Sequence, residues 1–285
     1  MPKHFPTVVF VLAHILLQCQ SPQSEVKDAL PYRFAKPEYT FELDKDLREI
    51  SGLAWWNEDT LVSIEDESAT IYFLSAKDGS IIKKTDFGDK GDYEGIAVVE
   101  REIYVLRSDG DLFKVKHPLR EKTKADKNET DLSQKDDAEG LCFETKSKSF
   151  LIAAKEEGET KGNRVIYQMG IGEKDIDKKP YLLIDEEALL KALHTKYGNR
   201  FGSSFKPSGI AFHPLTDDLY IVSAANHLLA AFDDNKELID VVKLPKTYAK
   251  QVEGICFAPD GRLFISTEGG DEKGNIVVLK MMKWK

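Results

Sequence analysis

A glycine-centred motif that recurs five times, at a spacing mostly in the forties, predicts an all-β protein: a five-bladed β-propeller with a short helical insertion between blades 3 and 4. The copies are Ser51-Gly52-Leu53-Ala54-Trp55, Glu94-Gly95-Ile96-Ala97-Val98, Glu139-Gly140-Leu141-Cys142-Phe143, Ser208-Gly209-Ile210-Ala211-Phe212 and Glu253-Gly254-Ile255-Cys256-Phe257. Glycine to glycine they lie 43, 45, 69 and 45 residues apart. Each copy opens a unit of short alternating strands parted by turn residues, as one sheet per blade requires. The last unit holds only three strands while a spare one precedes the first copy, which predicts closure of the ring by the N-terminal strand.

In chain order, residues 38–43 alternate and supply that spare strand. Blade 1 continues with strands at 61–64, 70–75 and, after the Lys77-Asp78-Gly79 turn, 81–86. Blade 2 has strands at 102–107 and 112–116, then an almost wholly polar stretch, 119–137, that reads as a weak outer strand plus a loop. Blade 3 has 150–154, 164–170 and 181–184, and blade 4 has 218–223, 228–233 and 238–243. Blade 5 has 254–257, 263–267 and 275–280. The long third interval exceeds its neighbours by about 24 residues, too few for a sixth blade of about 43. It holds a helix instead. Asp185 is placed as N-cap, Glu186 and Glu187 fill the first turn, and Leu189, Leu193 and Tyr197 recur every fourth residue before Gly198.

The chain of 285 residues is 41% hydrophobic and 31% charged, and the repeat makes residues 38–285 one domain. A net charge of −9 without a basic stripe excludes nucleic acid as partner. Residues 1–18 read as a signal peptide: Lys3 and His4 precede an apolar run, 7–17, too short to span a bilayer. The run ends at Leu16-Leu17-Gln18-Cys19, which resembles a bacterial lipoprotein signal, with Gln18 where a small residue is usual. Cys19 is then the lipidation site and 19–37 a tether. The expected location is the bacterial cell envelope, lipid-anchored at the outer membrane or cell surface, or secreted or periplasmic if Cys19 is not lipidated. No other apolar run reaches 18 residues, so the lipid anchor is the expected membrane contact, and the domain reads as a monomer. Cys142 and Cys256 share one repeat position on blades 3 and 5 and read as buried small hydrophobes.

Strand order places the residue before each repeat glycine at the mouth of the central channel. These are Ser51, Glu94, Glu139, Ser208 and Glu253. Two carboxylates 5 Å apart repel by about 3 kcal/mol at an effective dielectric of 20. Three converging on one axis therefore share protons, hold a cation, or never meet because they cap neighbouring backbone. For the cation, hard oxygen donors suit Ca²⁺. The second strands end on the same face, which adds Glu65, Asp66, Asp109, Lys155, Glu156, Asn226 and Glu268 to a polar funnel. The helical insertion leaves from and returns to this face, and Arg200 within it could meet an anionic ligand.

With these residues the chain resembles the SdiA-regulated (YjiK-like) β-propeller family of bacterial envelope proteins. The carriers are Glu49-Ile50-Ser51-Gly52-Leu53-Ala54-Trp55, Tyr93-Glu94-Gly95-Ile96, Ala138-Glu139-Gly140-Leu141 and Val252-Glu253-Gly254-Ile255. The resemblance implies a five-bladed propeller, distantly similar to NHL-repeat proteins, with Ca²⁺ at a shared site carried over to Glu94, Glu139 and Glu253. Two classes of function stay open. One is an envelope-anchored calcium-binding module that presents its funnel to a small-molecule or protein ligand. The other is a Ca²⁺-dependent hydrolase, acting like a lactonase, phosphoesterase or esterase through the axial metal. A two-carboxylate glycosidase is a weaker third. No Ser/His/Asp or Cys/His set is visible in the sequence.

Overall fold

Each repeat folds into one four-stranded antiparallel sheet, and five such sheets form the ring. The computed structural model describes residue 1 and residues 29–156, 161–198 and 204–282. Blade 1 comprises β2 (Ile50–Asn57), β3 (Thr60–Glu65), β4 (Thr70–Ser75) and β5 (Ile81–Asp86). Blade 2 comprises β6 (Tyr93–Val99), β7 (Glu102–Arg107), β8 (Leu112–Val115) and β9 (Ala125–Asn128), the last being the weak outer strand. Blade 3 comprises β10 (Ala138–Glu144), β11 (Ser149–Ala154), β12 (Asn163–Gly170) and β13 (Leu182–Asp185). Blade 4 comprises β14 (Pro207–Phe212), β15 (Leu219–Ser223), β16 (Leu228–Phe232) and β17 (Leu238–Lys243). Blade 5 has β18 (Gln251–Phe257), β19 (Leu263–Glu268) and β20 (Asn275–Leu279), and β1 (Tyr39–Glu42) completes it from the other end of the chain. Tyr39 stands opposite Val278 and Glu42 opposite Asn275, so the edge of β20 is covered.

The core is divided into wedges between adjacent blades. Between blades 5 and 1, for example, Leu53, Leu61 and Leu74 pack against Cys256, Phe264 and Ile276. Cys142 and Cys256 are both free and buried. Burying each large apolar side chain stabilises by about 1.5–3 kcal/mol, and the wedges hold neighbouring sheets together where no strand pairing links them.

The repeat glycines mark where the innermost strands come closest. A Cβ on Gly254 would stand 2.6 Å from the Ser51 carbonyl oxygen, and one on Gly95 would stand 2.7 Å from the Leu141 Cβ. Gly52, Gly140 and Gly209 meet the next blade in the same way, so the contacts run from blade to blade round the axis. Hydroxyls join two of these seams. Ser266 Oγ donates to the Ser51 carbonyl (3.0 Å) and accepts from the Gly254 N–H (2.8 Å), and Ser208 Oγ donates to the Val252 carbonyl (2.5 Å).

The insertion folds as α1 (Glu186–Tyr197), with the Asp185 carboxylate accepting the Ala188 N–H as N-cap. Arg164 clasps it to the ring. Its guanidinium donates to both Glu186 oxygens (3.2 and 3.0 Å), to the Phe205 carbonyl (2.8 Å) and to the Lys155 carbonyl (3.2 Å). Among the described residues no helix is long and apolar enough to cross a membrane.

Residues 29–37, the last part of the expected tether, lie against the ring. Leu30, Tyr32 and Phe34 are buried in the wedge between blades 4 and 5. The Tyr32 hydroxyl donates to the Gly261 carbonyl (2.7 Å) and lies 2.9 Å from His213 Nε2. Because His213 Nδ1 accepts the Leu215 N–H, the Nε2 position carries the proton, and burial lowers the pKa of this imidazole.

Candidate functional site

Sheet geometry aims the mouth residues. In each blade the register of the innermost strand against the second shifts at the residue before or beside the glycine: between Ile50 and Leu53, Tyr93 and Gly95, Ala138 and Gly140, Pro207 and Gly209, and Val252 and Ile255. A bulge leaves one residue unpaired and turns its side chain out of the pleat. Glu94, Glu139, Ser208 and Glu253 thereby line the axial cavity with the repeat glycines. That cavity is about 10 Å³, enough for roughly one water or ion. Ser51 is buried beside it.

The mouth is electrostatically unusual. Burial first, then Glu139, Asp92 and Glu253, raises the pKa of Glu94 far above the carboxylate range. Burial also raises Glu253 strongly, with Glu139, Glu268 and Asp66 adding to it. Among the described residues, one ammonium stands among these acids. Lys155 Nζ donates to Glu139 Oε1 at 2.5 Å and lies 3.9 Å from Asp137. Glu139 is nonetheless raised, because burial outweighs the lysine and Asp137 and Asp92 oppose it further. Burial works against the Lys155 charge too, yet Glu139, Asp137 and Glu253 hold its pKa above the lysine range. The two directions pull against each other for one ion pair. The 2.5 Å contact decides in favour of the charged pair.

A second tier surrounds the first. Asp66 is raised to about 6 by burial and by Glu49, Glu65, Glu67 and Asp92. Glu268 is raised to about 7 by burial, Asp66 and Glu49, against Lys155, and it accepts the Gln251 amide at 2.8 Å. The sequence pattern does not single out Glu49, Asp92 and Asp137, although each stands two residues before a mouth residue, where the chain enters the innermost strand.

Other candidates are engaged elsewhere. Glu65 accepts the N–H groups of Glu67 and Ser68 and closes its own turn. Asp109 is held by Arg107. Glu156 pairs with Lys206 at 2.7 Å, and the Asn226 amide donates to the Ser204 carbonyl. Arg200 and Cys19 lie outside the described residues. A larger cavity, about 820 Å³, lies beside α1 between Asn163, Leu190 and His194. The mouth is the stronger candidate because the buried charges meet there.

The donor set can be tested against a calcium ion. Buried hard oxygens with no hydrogen-bond partner among the described residues remain at this face: Asp66 Oδ1, Ser51 Oγ and Thr267 Oγ1. The carboxylates of Glu94 and Glu253 also accept from no described donor, whereas Glu139 is taken by Lys155. No three His, Cys, Asp or Glu side chains among the described residues stand as a gathered ligand set. The chemistry of the donors suits a hard cation. Their present arrangement serves the lysine.

Comparison with known proteins agrees with this architecture. The family model described as SdiA-regulated matches residues 32–270. Glutaminyl cyclase of Myxococcus xanthus has a similar solved structure, with a TM-score of 0.60 at 13% identity, covering 87% of this chain and 97% of that one. A luciferin-regenerating enzyme follows at 0.51 and 12%, covering 86% and 95%. A streptogramin B lyase stands at 0.51 and 10%, covering 85% and 98%. At these identities the likeness concerns the fold alone. No curated protein matches.

Proposed function

This chain belongs to the SdiA-regulated family, and we propose that it is an envelope-anchored propeller that binds Ca²⁺ at its axial mouth and presents the surrounding funnel to a small-molecule or protein ligand. One observation supports this most: buried oxygens without a hydrogen-bond partner among the described residues, on Asp66, Ser51 and Thr267, stand near the mouth that Glu94, Glu139 and Glu253 line. An ion held by Glu94, Glu139 and Glu253 would neutralise them, and its charge would organise the polar rim for a ligand. The anchor is Cys19.

Thermal melting with calcium and with chelator tests the site. An ion bound only to the folded ring stabilises it by about 2.7 kcal/mol at a hundredfold excess over Kd. The wild-type midpoint should rise by several degrees. The triple variant Glu94→Gln, Glu139→Gln, Glu253→Gln should lose that rise, whatever the loss of the Lys155–Glu139 pair costs it in chelator. An unchanged wild-type midpoint, with no calcium heat in calorimetry, overturns the reading. Membrane fractionation of wild type and Cys19→Ala checks the anchor, which requires release or failed processing of the variant.

A further inference from the structure

We propose that Lys155 is the resident cation of the mouth and determines which ligands the mouth accepts: a cation reaches the carboxylates only by displacing the Lys155 ammonium from Glu139. This rests on the reading that a cation binds here. Lys155 follows directly on β11, and its backbone is held at both ends. Its N–H donates to the Asp137 carbonyl at 2.9 Å, and its carbonyl accepts from Arg164 at 3.2 Å. The anchored backbone delivers the ammonium to Glu139, whose side chain is 4% exposed, while the lysine side chain is itself 37% exposed. The four-carbon stem therefore has a path to solvent along which the head can leave.

The charge balance sets the class of ligand. Lys155 acts electrostatically on Glu94, Glu139, Glu253 and Glu268 together, yet it donates a hydrogen bond to Glu139 alone among them. A monovalent ion that displaced it would exchange one positive charge for one and gain nothing. A divalent cation, or a ligand with two ammonium groups, brings a second charge to Glu94 and Glu253, which accept from no described donor and whose ionised forms burial disfavours without a cation. The mouth therefore selects for two or more positive charges and against sodium.

Two measurements test this. In the wild-type protein, reductive methylation with peptide mass spectrometry reads the accessibility of the Lys155 amine. Calcium should raise its modification about tenfold over chelator, and sodium chloride at matched ionic strength should not. Calorimetry of Lys155→Met should show calcium binding tighter than wild type by about tenfold or more, with Lys155→Arg close to wild type. Calcium binding to wild type without added modification of Lys155 overturns the displacement and leaves the metal site standing. Binding to Lys155→Met no tighter than to wild type also overturns it. Absence of binding in both proteins overturns the site and the displacement together. If Lys155→Met does not fold, the labelling of the wild-type protein decides.

Discussion

Asp66 and Glu268 carry a pH dependence that follows from the sign of their shifts. Both are protonated more readily in the folded ring, at about 6 and about 7, than in an unfolded chain. Their contribution is therefore undiminished below about pH 4, where both states are protonated, and falls as pH rises through the folded values. In chelator, the wild-type melting temperature should decline between about pH 4.5 and 7.5 relative to Glu268→Gln, which no longer titrates. Parallel curves for the two proteins would show that Glu268 ionises as freely in the ring as outside it. The same residue scale explains why most funnel acids are spent. Glu65 and Asp109 have donors within three residues, and a local partner is reached before a distant one.

At the scale of elements, the Arg164 clasp links β12, α1 and the backbone of Lys155. Arg164 and Glu186 side chains are 5% and 12% exposed, so removing one partner strands a buried charge. Arg164→Ala should destabilise by about 3–5 kcal/mol, whereas Arg164→Met with Glu186→Leu, which leaves neither charge, should recover much of the loss. Urea unfolding of the two single variants and the pair measures this, and equal losses in single and double variants would count against the clasp. The five bulges act at the same scale. Each one turns a single residue toward the axis without disturbing the strand that follows.

For the whole molecule, the decisive bond is between β1 and β20, because it joins the two ends of the chain. The wedge packing of Leu30, Tyr32 and Phe34 adds a second fastening between blades 4 and 5. Deleting residues 38–42 should lower the melting temperature by ten degrees or about that, and expose the β20 edge to pairing with other copies. Melting and size-exclusion chromatography check both effects. A monomeric deletion variant melting with wild type would show that closure does not depend on β1.

The fold was legible because it repeats. Gly52, Gly95, Gly140, Gly209 and Gly254 recur since five strands must approach one axis, and a spare strand at 38–43 matched a blade one strand short. Asp185 and Gly198 bounded the helix by capping chemistry that is local to a few residues. The shared repeat position likewise brought Glu94, Glu139 and Glu253 to one rim. Other features depended on what each side chain finds once the blades are assembled. Lys155 meets Glu139 across the β10–β11 pair, Leu30 to Phe34 enter a wedge between two adjacent repeats some two hundred residues further along the chain, and the bulges arise from pairing. A repeat position determines where a residue stands around the axis. Only the packed neighbours decide which partner its charge takes, because burial and distance set that choice, and neither exists before the ring closes.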